Sequence, residues 1–527
     1  MLSITFNALH WTGLLLSSTV LYFLGLIIYR LTLHPLAKYP GPFLAKITDL
    51  DNVYHVWMWD RHVNFMKCHE KYGPIYRYGP NRLSFNTSSA LHSIHGFKAN
   101  VQKASFYTAF QTGIPSSFSL IDKVRHGQRR RVIAHAFSER ALKGVEDGFL
   151  KNIRTWCGRL RELGGNGGGG LDMSKWCTYL TFDVMGSLAF GRSFNMSTSP
   201  KNHYVPNLMR QGGIFAHYNG NMLWAYGWGL TSRLFPGITA GRNAFRAYAK
   251  LQAQERVNLG VEGNDVKDFF HYLIEAKDPE TGEGFTMNEL WGEANLIIIA
   301  GSETTSTVLA GIFFYLTHNL DVLEKVKSEV RTVFEGCDSE DIVSGPKLND
   351  CVYLRACLEE TLRMAPPVPG PLPREVCAGG AEIDGELIPE GVDVSVGIYS
   401  IQHNASYFPE PYAFRPERWI IRDSIKGAGD SKVENLYDGV GVGKEEVEIA
   451  QKAFCAFSFG SRGCIGKNMA YMELMLAMAR VLFLFDIETA GTLGEGEVRG
   501  DNVEWRLRDC FNASKEGPLI KFVERKR

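Results

Sequence analysis

The sequence lacks an excess of charge of either sign, because its 57 lysine and arginine residues equal its 57 aspartate and glutamate residues over 527 positions. Nucleic-acid-binding proteins carry a concentrated basic surface, so this balance predicts no nucleic-acid partner. The 10 cysteines also lack the regular spacing of a disulfide framework. We expect most of them to be reduced thiols on the cytosolic side of a membrane.

Nucleotide-binding fingerprints are missing as well. The glycine-rich segment 164–170 has no phosphate-binding spacing and predicts a flexible surface loop. The segment 439–444 ends in lysine, but it lacks the first glycine of a P-loop at the required spacing and a following serine or threonine. We therefore expect the chain to carry no flavin or NADPH site of its own. Electrons for any redox reaction would come from a partner protein.

Charged residues are absent before Arg30, and residues 11–29 form an almost unbroken apolar run. A run of this length can span a bilayer, and positive charge follows it only on the C-terminal side. A cleaved signal peptide is the alternative, but its charges would precede the apolar core. We expect a retained anchor at 1–32, a proline-rich hinge at 33–46 and a catalytic domain at 47–527 that faces the cytosol.

This topology can be checked at four sites that fit the glycosylation sequon. A cytosolic domain is not exposed to the glycosylation machinery, so all four should be unmodified. The four asparagines are Asn86, Asn195, Asn404 and Asn512.

The segment 457–466, Phe-Ser-Phe-Gly-Ser-Arg-Gly-Cys-Ile-Gly, is the chemically most distinctive part of the chain. Cys464 lies beside Arg462 and ahead of a helix predicted to begin near Asn468, and both a cation and a helix N-terminus favour a thiolate. The absence of a neighbouring C-x-x-C pair argues against zinc, whereas haem iron accepts a single axial thiolate. A buried core cysteine in a glycine-rich loop is the alternative interpretation.

The spacing of Phe457, Gly460, Arg462, Cys464 and Gly466 resembles the haem-binding signature F-x-x-G-x-R-x-C-x-G of the cytochrome P450 family. The resemblance implies a mainly α fold with a small β-rich region and an N-terminal transmembrane helix. It also implies haem b as cofactor, with Cys464 as the axial iron ligand, Arg462 on a propionate and the glycines making room for the porphyrin.

A second motif lies in a long apolar helix. Thr286 and Glu289 predict a capping box at its start, and the helix should continue to about Tyr315. Considered alone, the middle of this helix predicts a tolerated bend, because residues 300–305 are Ala-Gly-Ser-Glu-Thr-Thr. It also resembles the oxygen-binding motif of the family. That resemblance implies that the helix passes close to the haem and that an acid and an alcohol deliver protons to dioxygen, through Ala300, Gly301, Glu303 and Thr304.

Further motifs follow in the order of the family. Glu360 and Arg363 resemble its E-x-x-R pair, which Arg418 would join to form a buried structural network. Three more residues stand at positions that bind the haem propionates in the family. Arg130 and Arg374 match those positions. At the third position His126 replaces the usual tryptophan, so the role of His126 is more open. Residues 420–452 should form the irregular segment that precedes the haem loop.

These resemblances imply a monooxygenase that inserts one oxygen atom from dioxygen into a lipophilic small molecule, as a tailoring step in secondary-metabolite biosynthesis. NADPH-cytochrome P450 reductase would supply the electrons, and cytochrome b5 is a second candidate partner. The expected location is the endoplasmic reticulum membrane. Two alternatives stay open at this point: a haem-thiolate isomerase or dehydratase that needs no external electrons, and a non-catalytic haem binder.

Overall fold

A computed structural model describes residues 2–111, 113, 115–165, 169–260, 268–275, 277, 282–422, 437–494, 496–499 and 501–525. Two segments discussed above lie partly outside these ranges. They are the glycine-rich loop at 164–170 and the irregular segment at 420–452.

Most of the described residues are helical, as the sequence predicts. The helices are α1 Leu2–Ile28, α2 Phe43–Ile47, α3 Leu50–Met58, α4 Arg61–Tyr72, α5 Ser88–His95, α6 Lys123–Ala134, α7 Glu139–Gly144, α8 Glu146–Gly164, α9 Met173–Phe190, α10 Val205–Asn221, α11 Leu223–Gly227, α12 Leu230–Leu234, α13 Pro236–Asn258, α14 Phe269–Glu275, α15 Met287–His318, α16 Leu320–Val333, α17 Pro346–Asn349, α18 Val352–Met364, α19 Ile398–Gln402, α20 Lys444–Ala453 and α21 Lys467–Leu484.

Short strands form small sheets beside the helices. They are β1 Ile75–Gly79, β2 Arg82–Phe85, β3 Val101–Lys103, β4 Leu171–Asp172, β5 Arg374–Val376, β6 Ala381–Ile383, β7 Glu386–Ile388, β8 Asp393–Val396, β9 Phe485–Thr489, β10 Glu497–Arg499, β11 Asn502–Glu504, β12 Arg508–Cys510, β13 Asn512–Ser514 and β14 Leu519–Glu524. The largest sheet has the order β1-β2-β8-β5-β3, and β12 pairs with β13 as an antiparallel hairpin.

Helix α15 runs through the protein interior. Thr286 and Glu289 form the predicted capping box, and the helix ends at His318, three residues beyond the predicted end. It packs along α9, where the Thr181 hydroxyl donates to the carbonyl of Ser302 at 2.8 Å. Because α15 is long, apolar and buried, it places its central residues at the middle of the domain.

The apolar N-terminal segment lies outside this body. Residues His10–Leu33 are helical, long enough and apolar enough to span a membrane, and none of the most apolar window is buried. The hinge that follows is not a free linker. Leu36 and Tyr39 are buried in the body, and the N–H of Arg77 in β1 donates to the carbonyl of Pro40 at 2.7 Å. The apolar helix therefore leaves the domain from a fixed point.

The predicted charge network of Glu360, Arg363 and Arg418 is confirmed. The Glu360 carboxylate receives two hydrogen bonds from Arg363 at 2.9 Å and one from Arg418 at 3.0 Å. The indole of Trp419 adds a fourth at 2.9 Å. Burial raises the pKa of Glu360, but the two guanidinium charges outweigh it and hold the pKa at about 2. The network joins α18 to the Pro416–Trp419 turn.

We predict that Glu360→Gln lowers the free energy of unfolding by about 3 kcal/mol at pH 7, because two buried guanidinium groups lose their counter-charge. A carboxyl with a depressed folded pKa stabilises above its unfolded pKa of 4.5, and this contribution disappears as the pH falls toward 2. The difference between wild type and variant should therefore shrink below pH 4.5. Urea unfolding of the detergent-solubilised chain measures it.

The matched control is Glu359→Gln, the neighbouring residue on the same helix. Glu359 pairs with Arg355 at 3.0 Å in a partly exposed position, since the two side chains are 17% and 41% exposed. Such a pair contributes roughly 0.5 kcal/mol or less. Equal losses in the two variants would contradict the network's structural role.

Candidate active site

Cys464 lies in a tight loop between a short turn of 3-10 helix, Gly460–Arg462, and α21. Its backbone N–H donates to the carbonyl of Phe457 at 2.8 Å. The Phe457 ring packs on Tyr471 of α21 with the ring centroids 5.1 Å apart. The loop is thus fixed from both sides, and α21 begins one residue before the predicted Asn468.

Two glycines of this loop have different structural roles. Gly460 has a φ of +64°, and a Cβ there would lie 2.1 Å from the carbonyl oxygen of His95 at the end of α5. Gly466 has a φ of −85°, and a Cβ there would meet only the Phe137 ring at 3.8 Å. Gly460 is therefore required for the close approach of the loop to α5, a contact that the sequence interpretation of room for a porphyrin did not include.

The Cys464 side chain is accessible to solvent, yet burial raises the pKa of its thiol. The side chain is therefore open to solvent although many protein atoms surround the sulfur. The Gly466 N–H donates to the sulfur and, with the charges of Arg130 and Lys467, acts in the opposite direction on the pKa. The expectation that Arg462 and the helix N-terminus give the Cys464 thiol a low pKa was wrong for the protein without haem, because desolvation has the larger effect on that pKa.

Arg462 and Arg130 connect the loop to the preceding part of the chain. The Arg462 guanidinium donates to the carbonyls of Leu120 and Ile121 at 2.6 and 2.8 Å. Arg130 of α6 donates to the carbonyl of Gly463 at 2.8 Å. Both arginines therefore use part of their donor capacity to hold the Cys464 loop in place, and they bring their charges to the same region.

Arg374 and His126 lie close to these arginines, so the structure brings together the residues that resemble the family's propionate-binding positions. Burial and the charges of Arg462, Lys103, Arg130 and Arg374 lower the pKa of His126 to about 3, so this imidazole is neutral. Burial, followed by the charge of Arg374, lowers the pKa of Arg462 to about 10. These shifts show several positive side chains concentrated in one partly buried region.

The sequence analysis missed Lys103, the fifth member of this cluster. It ends β3, its side chain is buried, and its ammonium donates to the carbonyl of Phe118. Burial and the charges of Arg374 and Arg462 lower its pKa well below the usual value. One lysine in a three-residue strand gives no local signal of such a role, because the contact partners come from distant parts of the chain.

The cluster has little counter-charge of its own among the described residues, since the Asp122 carboxylate acts on Arg462 without pairing with it. Within the described ranges, Lys103, Arg130, Arg374 and Arg462 hydrogen-bond to carbonyl and hydroxyl oxygens and form no ion pair with a carboxylate. Burying unpaired charge is costly unless an opposite charge compensates it. The cluster is therefore suited to a ligand with anionic groups.

The open face of α15 carries Ala300 and Thr304. Ala300 is exposed in the middle of an otherwise buried helix, Thr304 is half-buried, and the Thr304 hydroxyl donates to the Ala300 carbonyl at 2.6 Å. Gly301, by contrast, faces α9. A Cβ at Gly301 would lie 2.2 Å from the sulfur of Met185, so its small size permits the contact between α15 and α9.

Glu303 is half-buried and faces the β12–β13 hairpin. Its Oε2 accepts a hydrogen bond from the Asn512 amide at 2.7 Å. Burial raises the pKa of Glu303, whereas the Asn512 bond and the charges of Lys515 and Arg210 lower it. The acid and the adjacent alcohol therefore lie on different faces of the same helix turn.

Apolar side chains from separate segments form an aromatic cluster. The rings of Phe110 and Phe511 lie 4.7 Å apart between centroids, and Phe511 comes from the tip of the β12–β13 hairpin. The sequence analysis singled out neither Phe511 nor the hairpin for this role. The other members are Ala104, Phe106, Tyr107, Phe118, Ile121, Val368 and Leu372.

The residues fit a haem group on three counts. The Cys464 thiol is accessible to solvent and can ligate one metal ion. The unpaired cations can hold carboxylates through charge-assisted hydrogen bonds. The small side chain at Ala300 leaves the middle of a buried helix accessible.

Comparison with known proteins agrees with this fit. The family model described as cytochrome P450 matches residues 40–495. Cytochrome P450 monooxygenase atnE of Emericella nidulans is 36% identical over 527 residues, which cover 98% of this chain and 96% of that protein. Cytochrome P450 monooxygenase AKT7 of Alternaria alternata is 35% identical and covers 99% of both chains. Cytochrome P450 monooxygenase apf7 of Gibberella fujikuroi is 37% identical and covers 98% of both.

We predict that Gly460→Ala lowers the thermal midpoint of unfolding, because an alanine strains the left-handed backbone by roughly 1 kcal/mol or more and also collides with the His95 carbonyl. The matched control is Gly466→Ala in the same loop, where the backbone is ordinary and the space sufficient. For both variants the midpoint is measured on the haem-free protein by differential scanning calorimetry, where that of Gly466→Ala should stay close to wild type. Equal effects of the two substitutions would contradict the assignment.

Proposed function

The chain belongs to the cytochrome P450 family, and we propose that it is a haem-thiolate monooxygenase that inserts one oxygen atom from dioxygen into a lipophilic small molecule. The observation that carries the proposal is the solvent-accessible Cys464 thiol, with the cation cluster bound to the same loop. Its surroundings hold an apolar cluster suited to a lipophilic ligand.

Haem b, when bound, supplies the iron at which dioxygen is activated. In the proposal, the Cys464 sulfur would bind the haem iron, and Arg462, Arg130, Arg374 and Lys103 would hold the haem carboxylates. His126 is neutral and buried, so it contributes a hydrogen bond rather than a charge. The Phe457–Tyr471 contact and Gly460 keep the ligand loop in shape.

We propose that Thr304 and Glu303 move protons in this site. Thr304 presents its hydroxyl on the open face of α15, where it is fixed by the bond to the Ala300 carbonyl. Glu303 takes up a proton on its carboxylate and releases it toward Thr304. The raised pKa of Glu303 suits this role, because a proton donor is most effective when its pKa approaches the operating pH.

The electron source in this proposal is a separate protein. NADPH-cytochrome P450 reductase is the proposed partner, with cytochrome b5 as a second donor. Support comes from the sequence, where neither glycine-rich segment has nucleotide-binding spacing.

We propose the endoplasmic reticulum membrane as the location, with residues 1–32 as a single anchor, 33–46 as the hinge and 47–527 as the cytosolic catalytic domain. The accessible apolar helix and the positive charge that follows it support this orientation. The proposed process is a tailoring step in secondary-metabolite biosynthesis, since the basic run at 125–131 and Pro416–Trp419 resemble filamentous-fungal members of the family.

We predict that the purified protein incorporates one atom of isotopically labelled dioxygen into its product only when reductase and NADPH are present. The substrate is obtained by comparing metabolites of a strain that expresses the wild type with those of a strain that expresses Cys464→Ala. Cys464→Ala should also lose the thiolate-type spectrum of the reduced, carbon-monoxide-bound protein, because alanine has no ligand atom.

Turnover without reductase would instead indicate an isomerase or dehydratase. An unchanged metabolite profile in the Cys464→Ala strain would indicate a non-catalytic haem binder. The intact Glu303–Thr304 pair favours the monooxygenase, since neither alternative needs protons for dioxygen cleavage.

We predict that endoglycosidase treatment of the native protein causes no mass shift. The informative site is Asn195, which is exposed and therefore accessible to the modifying enzyme in a lumenal domain, whereas Asn86, Asn404 and Asn512 are half-buried. Asn195→Gln is the matched control and should have the same mobility as wild type after treatment. A shift that Asn195→Gln abolishes would contradict the cytosolic orientation.

A further inference from the structure

The β12–β13 hairpin, which follows the haem loop by about forty residues, reaches back to the middle of α15. Asn512 on β13 donates from its side-chain amide to Oε2 of Glu303 at 2.7 Å. An amide donor stabilises the ionised form of a carboxylate. The contact thus joins the acid of the proposed site to a residue that the sequence marks only as part of a glycosylation sequon.

Lys515, three residues further on, binds the next turn of the same helix. Its ammonium donates to the hydroxyls of Ser306 and Thr307 at 2.7 and 2.9 Å and lies 3.5 Å from the Glu303 carbonyl oxygen. The two hydroxyls in turn donate to that carbonyl at 3.0 and 2.8 Å. The Lys515 ammonium therefore contacts the Glu303 carbonyl oxygen and two hydroxyl groups of the helical turn that follows it.

The hairpin itself is held in place. Phe511 between its strands has a φ of +76°, which is strained for a side chain other than glycine. Its N–H donates to the Asp509 carboxylate at 3.1 Å, and that buried carboxylate pairs with Arg61 of α4 at 3.2 Å. A hairpin fixed at Asp509 presents Asn512 and Lys515 to α15 in a defined position.

We propose that Asn512 and Lys515 are positioning residues that hold Glu303 in one orientation and favour its ionised form, so that proton uptake in the site depends on the C-terminal hairpin. This inference rests on the proposed function of Glu303. The donor distance fixes the carboxylate, and the three bonds of the ammonium fix the turn of α15 that carries it.

The charged groups around the pair support the direction of the effect. Glu303 faces Lys515 and also Arg210 of α10, and both charges lower its pKa against the effect of burial. Cys510 of the hairpin lies near Glu303 as well. Lys515 faces Glu303, Cys177 of α9 and Asp172, and burial lowers its pKa to about 8. Removal of the Asn512 amide or of the Lys515 charge should therefore raise the pKa of Glu303.

The test is an infrared titration of the full-length, haem-loaded protein. The carboxyl band of Glu303 is the band that disappears in Glu303→Gln. In Asn512→Ala its titration midpoint should rise by about one pH unit, because a hydrogen bond to a charged group contributes about 1.4 kcal/mol or more. Lys515→Met, which keeps the length of the side chain without its charge, should also raise the midpoint.

The matched control is Arg508→Ala, on the opposite strand of the hairpin. Arg508 pairs with Glu516 at 3.0 Å at the surface, so the Glu303 midpoint should stay at the wild-type value. If Asn512→Ala does not accumulate as folded protein, the isosteric Asn512→Asp removes the same donor and should raise the midpoint further. An unchanged midpoint in the Asn512 variant and in Lys515→Met would overturn the proposal.

This titration needs no substrate and no reductase, so its outcome is separable from that of the proposed function. A shifted midpoint in a protein without monooxygenase activity would leave the positioning role intact and refute the proposed reaction. An unshifted midpoint in an active monooxygenase would overturn the positioning role and leave the proposed reaction intact.

Discussion

The cost of burying charge is the constraint on which this structure depends. At Glu360 the protein itself supplies the compensating groups, because two arginines and an indole surround one carboxylate. At the cation cluster the described residues supply no carboxylate partner. Lys103 and Arg374 are buried there among carbonyl and hydroxyl groups. A single buried cation can be satisfied by carbonyl oxygens alone, as Arg77 is by Pro80 and Arg30. What distinguishes the cation cluster from the Glu360 network is the concentration of several such cations in one region, which suits a ligand of opposite charge.

The close approach of backbones is the second condition for the site. Gly460 brings the Cys464 loop against the end of α5, and Gly301 brings α15 against Met185 of α9. Both glycines belong to motifs that the family resemblance connects with the cofactor. The structure shows that their immediate neighbours are protein atoms. The glycines thus act on the cofactor site through the packing of the elements that carry it.

The sequence predicted those parts of the fold that depend on local signals. The capping box of Thr286 and Glu289 is an example, because it is formed within four residues of chain. The buried Glu360 network was predicted only through the family resemblance, because an E-x-x-R spacing alone is common on exposed helices. Lys103, Asn512 and Lys515 were not predicted. Their roles come from contacts across large separations along the chain, and no periodicity marks them.

The division of α15 into faces explains why its two motif residues cannot be treated as one unit. Successive residues of an α-helix point about 100° apart. Thr304 therefore shares the open face with Ala300, four residues earlier, while Glu303 faces the C-terminal hairpin. In the proposed transfer, a proton that passes from Glu303 to Thr304 moves around the helix, and Asn512 and Lys515 from the C-terminal part of the chain hold Glu303 at the start of that movement. The chemistry of the central helix is thus tied to the packing of the C-terminus.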